Sequence, residues 1–134
     1  MQSIHHVAVS VTDFEKSLSF YEKLGFKILF KNSKPELRKQ LALMELGNFK
    51  LEVFCFEDSS DNPQTRQNIG NNIREIGQKH FAIQVQSLEQ TLAKIQENDI
   101  ELTSQPDVGD AGYKFFFIRD PDGIWIEYVE DNKY

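Results

Sequence analysis

Residues 6–26 and 80–100 can be written one above the other without a gap, at an offset of 74. Five of the 21 positions are identical: His6/His80, Ala8/Ala82, Val11/Val85, Glu15/Glu89 and Leu18/Leu92. Most of the others keep their apolar or polar character. One residue later in phase, Leu51-Glu52-Val53 lies on Ile126-Glu127-Tyr128. Each half therefore opens on a His and closes on a Glu, 46 residues apart in the first and 47 in the second. A duplicated unit of this size restricts the chain to two copies of one supersecondary motif. With 134 residues in all, they fit a single domain: module one over 4–56, a polar connector over 57–78 and module two over 79–130.

Each half reads as strand, helix and further strands. From His6 to Val11 the chain alternates, with Val7, Val9 and Val11 on one face and His6, Ala8 and Ser10 on the other. Thr12 with Glu15 has capping-box spacing. Phe14, Leu18 and Tyr21 then form a helical stripe that Gly25 ends. A strand over 26–30 and a hairpin over 38–46 and 49–56, turning at Gly47-Asn48, complete the module. In the second half Phe81, Ile83 and Val85 alternate, Ser87 with Gln90 offers the cap, and Leu88, Leu92 and Ile95 supply the stripe. A short strand is predicted over 100–103. Strands over 113–118 and 124–129 meet at Asp120-Pro121-Asp122-Gly123, a strong turn sequence. The connector is predicted to hold one helical turn near 72–76.

Side chains alternate along a strand, so parity assigns faces. Leu51, Val53 and Cys55 oppose Glu52, Phe54 and Phe56, and Ile124, Ile126 and Tyr128 oppose Trp125, Glu127 and Val129. If the aliphatic faces meet the helices, His6, Glu52, His80 and Glu127 turn to the other, concave side. A single His or Glu on a strand is ordinarily structural, or paired with Lys or Arg. Two of each at matched positions on one face are a different matter, because two carboxylates at a partly dry site need a positive charge between them. One divalent ion per chain meets that need, and two imidazoles with two carboxylates suit nickel or zinc first, then manganese, cobalt or iron. Ser10, Phe54, Gln84 and Trp125 are the candidate substrate contacts on the same face. Cys55 is expected against the helix, and His5 on the helix side as a structural or surface residue.

Composition narrows the field further. Fifteen basic against 21 acidic residues leave a net charge of −6, which removes the counterion-release term behind non-specific nucleic-acid binding. The basic group Lys31, Lys34, Arg38 and Lys39 reads as a solvated loop and strand edge, with a cationic rim for an anionic molecule as its sharper reading. One cysteine excludes an intramolecular disulfide and a multi-cysteine zinc site. No apolar run is long enough for a transmembrane helix, and strand-like sequence begins at Ile4, so a reduced, cytoplasmic protein is expected.

The sequence resembles the vicinal oxygen chelate superfamily: glyoxalase I, methylmalonyl-CoA epimerase, ring-cleaving dioxygenases, fosfomycin-type thiol transferases and bleomycin-binding proteins. The resemblance rests on Ile4-His5-His6-Val7-Ala8-Val9, on Ser19-Phe20-Tyr21 with Leu24-Gly25-Phe26, and on Leu51-Glu52-Val53-Phe54. It continues in His80-Phe81-Ala82-Ile83, Phe117-Ile118-Arg119-Asp120-Pro121-Asp122-Gly123 and Ile126-Glu127-Tyr128. It implies an α+β fold of two tandem βαβββ modules forming a curved mixed sheet around a metal. The shared ligand positions fall on His6, His80 and Glu127. The fourth, which varies between branches, falls on Glu52, as in bacterial-type glyoxalase I; the epimerases carry Gln there. The implied activity is a metal-dependent lyase or isomerase that acts on a small oxygen-chelating substrate through an enediolate, with Glu127 or Glu52 as the base. The alternatives are a thiol or group transferase for detoxification, a ring-cleaving dioxygenase, and a dimer that sequesters a ligand between Phe54, Trp125 and Phe115-Phe116-Phe117. A homodimer is implied, with a small molecule as partner and neither nucleic acid nor membrane. In glutathione-using members the stretch before the second His ends in Gly, where this chain has Lys79.

Overall fold

The computed structural model describes all 134 residues, Met1–Tyr134. The chain divides into two compact units, Met1–Asp61 and Asn62–Tyr134, each with one four-stranded mixed sheet. The residues from Asn62 onward in the connector belong to the second unit.

In the first unit, β1 (Val7–Val11) leads into α1 (Phe14–Lys23), followed by β2 (Lys27–Lys34), β3 (Lys39–Leu46) and β4 (Phe49–Phe56). The sheet order is β1-β4-β3-β2, with β1 parallel to β4 and the rest antiparallel. The alternation in the sequence becomes burial: Val9 and Val11 are buried while Ala8 and Ser10 are exposed. Leu51, Val53 and Cys55 on β4, Ala42 and Met44 on β3, and Phe14, Leu18 and Tyr21 on α1 make the core. Helix α1 lies against β2 and β4. The N-cap is Asp13, not Thr12: the Lys16 amide donates to Asp13 Oδ1 at 3.1 Å. Both residues suit an N-cap, and the capping-box spacing favoured the wrong one.

The second unit repeats the plan: β5 (Phe81–Gln84), α3 (Leu88–Glu97), β6 (Asp107–Val108), β7 (Lys114–Arg119) and β8 (Trp125–Glu130), in the order β5-β8-β7-β6. Ser87 caps α3 by accepting from the Gln90 amide at 3.2 Å, and α3 lies against β8. The strand expected over 100–103 is only an isolated bridge, Leu102 to Ile118, and the paired strand comes later at Asp107–Val108. The Ile100 amide is committed to the Ile95 carbonyl at the end of α3, and the Thr103 amide and hydroxyl both bond the Phe117 carbonyl. The β7–β8 turn is as the sequence foretold: Asp120 Oδ1 accepts from the amides of Asp122 and Ile124, both at 2.9 Å.

The helical turn of the connector, α2 (Ile69–Asn72), stands three residues earlier than expected. Gln64 and Gln67 both donate to the Glu75 carboxylate, and these bonds hold its pKa below the usual carboxylate range. The buried Asn72 donates to the Gln64 carbonyl at 3.3 Å.

Candidate metal centre

The two parallel strand pairs share one register. Val7 pairs with Leu51 and Ala8 with Glu52 in the first unit; Phe81 pairs with Ile126 and Ala82 with Glu127 in the second. Partners across a parallel pair face the same side. Each Glu therefore stands beside an alanine, and the His two residues before that alanine shares its face. The small side chain leaves the imidazole room to reach the carboxylate. His6 Nε2 lies 3.6 Å from Glu52 Oε1, and His80 Nε2 lies 2.9 Å from Glu127 Oε2. The structure thus brings together the predicted ligands of each module as a His/Glu pair, and forms no group of three or more such side chains.

Neither carboxylate is answered by Lys or Arg. Lys and Arg form ion pairs elsewhere, among them Lys31–Glu15, Arg38–Glu57 and Lys50–Glu45. Glu127 is only 8% exposed, and burying a carboxylate is costly without a compensating positive charge. Two donors about 2.1 Å from one ion stand about 3 Å apart, close to the spacing of His80 Nε2 and Glu127 Oε2. An imidazole and a carboxylate at that spacing fit a divalent ion.

The pairs differ in their surroundings. His6 is exposed, and its Nδ1 lies 2.9 Å from His5 Nδ1, with the two rings edge to face. His5, expected as a structural or surface residue, is exposed and touches the candidate ligand beside it. His80 has no such bond, and its ring stands edge to face with Phe117 at 5.0 Å. Phe117 pairs with Glu127 across β7 and β8, so the sheet places it on the site face. His5 was not singled out as a site residue, and Phe117 entered only within the Phe115-Phe116-Phe117 run of the ligand-sequestering alternative. Strand parity could have picked Phe117 out of that run; nothing periodic marks His5.

Strand register puts the candidate substrate contacts on the faces of the two pairs: Ser10 opposite Phe54, two residues on from Ala8 and Glu52, and Gln84 and Trp125 two residues from Ala82 and Glu127. Ser10 is exposed on β1. Phe54 is half-buried and stacks on Phe56 at 6.1 Å, with Lys39 Nζ 5.2 Å above its ring. Gln84 is exposed and donates to the Asp131 carbonyl at 3.2 Å. Trp125 is 5% exposed, covered by the Arg119 guanidinium 3.9 Å from its ring centroid. Cys55 is buried on the helix-facing side of β4, with Sγ 3.6 Å from the Thr12 carbonyl. Of the basic group, Arg38 and Lys39 line a cavity of about 720 Å³, together with Pro35, Phe56 and Glu57. No helix is long and apolar enough to cross a membrane.

Comparison with known proteins agrees with this fold. The chain is 34% identical to an uncharacterized protein, YwkD, of Bacillus subtilis (strain 168), over 97% of this chain and 98% of the relative. It is 28% identical to a lactoylglutathione lyase of Escherichia coli O157:H7, over 94% of this chain and 90% of that one. Among solved structures, a glyoxalase family protein from Enterococcus faecalis superposes with a TM-score of 0.81 at 32% identity, covering 96% of this chain and 98% of the other. The family model for the glyoxalase/bleomycin resistance protein/dioxygenase superfamily matches residues 3–128. With that match, and with two tandem modules of one register, the chain belongs to this superfamily, the vicinal oxygen chelate group.

Proposed function

We propose that the protein is a divalent-metal-dependent lyase or isomerase of the glyoxalase I type. His6, Glu52, His80 and Glu127 hold one ion per chain, nickel or zinc ahead of manganese, cobalt or iron. The substrate is a small molecule with two neighbouring oxygens. The observation that carries the proposal is the equivalence of the two His/Glu pairs, at one register position in each module, with no Lys or Arg on either carboxylate. The 28% identity to a lactoylglutathione lyase supports the reaction class. Lys79 in place of the glycine of glutathione-using members argues for a substrate other than a glutathione adduct. A cytoplasmic homodimer is part of the proposal.

A bound divalent ion would supply Lewis-acid polarisation of the two substrate oxygens. His6 and His80 act as fixed donors through Nε2, since that nitrogen of each ring faces the carboxylate. Glu127 is the base. Its Oε2 lies beside His80 Nε2, which leaves Oε1 to take the proton from the hydroxyl-bearing carbon next to the carbonyl. The enediolate so formed receives a proton from the same carboxyl group on the former carbonyl carbon while the hydroxyl proton passes from one oxygen to the other, which completes an isomerisation. Glu52 is more exposed than Glu127 and serves as a ligand.

The test is a screen of nickel- and zinc-loaded protein against hemithioacetals and small 2-hydroxy carbonyl compounds in deuterated water. Deuterium entering the carbon beside the carbonyl is expected with at least one of them. Its absence with every compound, from protein shown to hold metal, would contradict the lyase or isomerase reading.

A further inference from the structure

A series of contacts on one face of the second sheet joins the connector to the His80–Glu127 pair. Across β7 and β8, Arg119 pairs with Trp125 and Phe117 with Glu127, so all four share that face. The Arg119 guanidinium carbon stands 3.9 Å from the centroid of the Trp125 ring. Trp125 meets Phe117 edge to face, with centroids 5.8 Å apart and planes at 84°. Phe117 meets His80 in the same way, at 5.0 Å and 89°. His80 Nε2 ends the series, 2.9 Å from Glu127 Oε2. At its other end Arg119 is fastened to the connector, donating to the Thr65 carbonyl at 3.4 Å and to the Gln67 carbonyl.

A ligand histidine is ordinarily oriented by a hydrogen bond at its second ring nitrogen. His80 Nδ1 is buried and has none. Beside its Nε2 contact with Glu127, the packing that sets the plane of the ring is its edge-to-face meeting with Phe117, a geometry that aromatic quadrupoles favour. Phe117 in turn meets both Phe115 and Trp125 edge to face. The indole nitrogen of Trp125 is buried and also without a partner, so no hydrogen bond anchors it. What anchors it is Arg119. A planar guanidinium can stack on an indole and still present N–H groups in its plane to two carbonyls, which a lysine ammonium cannot do.

We infer that Arg119 is a positioning residue for the His80–Glu127 pair: clamped to the connector, it holds Trp125 and, through Phe117, the imidazole that offers Nε2 to Glu127. The inference builds on the metal reading of that pair, yet the order of the His80 ring can be measured without metal. The docked state of the connector and the state of the candidate ligand are then linked, although no connector residue is itself a candidate ligand.

The test uses Arg119→Gln and Phe117→Leu in the full chain. Trp125 is the only tryptophan and there are three histidines, so emission and imidazole NMR signals are assignable. In metal-free protein, folded Arg119→Gln is expected to show red-shifted Trp125 emission and shifted or broadened His80 ring signals, with His6 unchanged. Phe117→Leu is expected to disturb the His80 signals alike. Nickel affinity is expected to fall about tenfold in each, the lower end of the loss seen when the support of a metal ligand is removed. Unchanged His80 signals in folded Arg119→Gln, or His6 disturbed as much as His80, would overturn the inference. If Arg119→Gln does not fold, unchanged His80 signals in Phe117→Leu overturn it instead. A wild-type protein that takes up no nickel would overturn the metal reading alone, because the His80 signals still decide the role of Arg119.

Discussion

Gly25 and Asp99 occupy the same backbone position, one residue past the C-caps of α1 and α3, with φ of +103° and +56°. In both, the next amide reaches back to close the helix: Phe26 to the Tyr21 carbonyl and Ile100 to the Ile95 carbonyl, each at 3.1 Å. This is the Schellman arrangement, which calls for a left-handed residue and favours glycine there. The two positions are matched by the 74-residue offset, and the second module has put an aspartate where the first keeps glycine. Asp99→Gly should therefore stabilise the protein by about 0.5–1 kcal/mol, and Gly25→Ala should destabilise it by about 1 kcal/mol. Thermal unfolding of the two variants would show opposite shifts in Tm.

Gly123 is constrained more severely. Its φ is +86°, and a Cβ there would stand 2.4 Å from the Thr65 carbonyl oxygen. Gly123→Ala should cost about 2–3 kcal/mol by combining backbone strain with a displaced connector. Denaturant unfolding would measure the loss, and faster tryptic cleavage at Arg66 would show that the connector had moved.

Tyr128 gives the protein an alkaline limit. Burial pushes its phenol up to about 12. Between pH 10 and 12 the unfolded chain releases this proton while the folded chain keeps it, so stability falls as pH rises through that interval, by on the order of 2 kcal/mol. Below pH 10 the group has no effect. Tyr128→Phe should flatten the slope, checked by denaturant midpoints at pH 9, 10 and 11. A slope unchanged by the substitution would assign the alkaline loss to another group.

Period-two alternation made the cores legible. Val9, Val11, Leu51 and Val53 are buried on the parity that the sequence assigns. The same parity, applied to the repeat, placed His6 with Glu52 and His80 with Glu127, because partners in parallel strands share a face. Competing local chemistry blurred the rest. Thr12 and Asp13 both suit an N-cap, and backbone angles, not spacing, chose Asp13. The segment 100–103 is apolar enough for a strand, but α3 and Phe117 claim two of its amides. Arg119 reads as part of a turn motif; its grip on Thr65 and Gln67 bridges more than fifty residues and leaves no local signature.

The two carboxylates should separate by function. Glu127→Gln should keep most of the metal and lose at least about a hundredfold in turnover, because an amide oxygen can coordinate but cannot take a proton. Glu52→Gln should lose metal affinity and activity in parallel, with excess metal restoring part of both. Metal content and solvent-proton exchange at the substrate carbon, measured on each variant, distinguish the patterns. Undiminished exchange by metal-loaded Glu127→Gln would pass the role of base to Glu52.

Calorimetric titration of metal-free protein with nickel tests the central claim most directly. One ion per chain with micromolar or tighter affinity is expected, weakened by at least about tenfold in both His6→Ala and His80→Ala. No binding in that range, or binding that either histidine variant leaves untouched, would contradict a single centre made of the two His/Glu pairs.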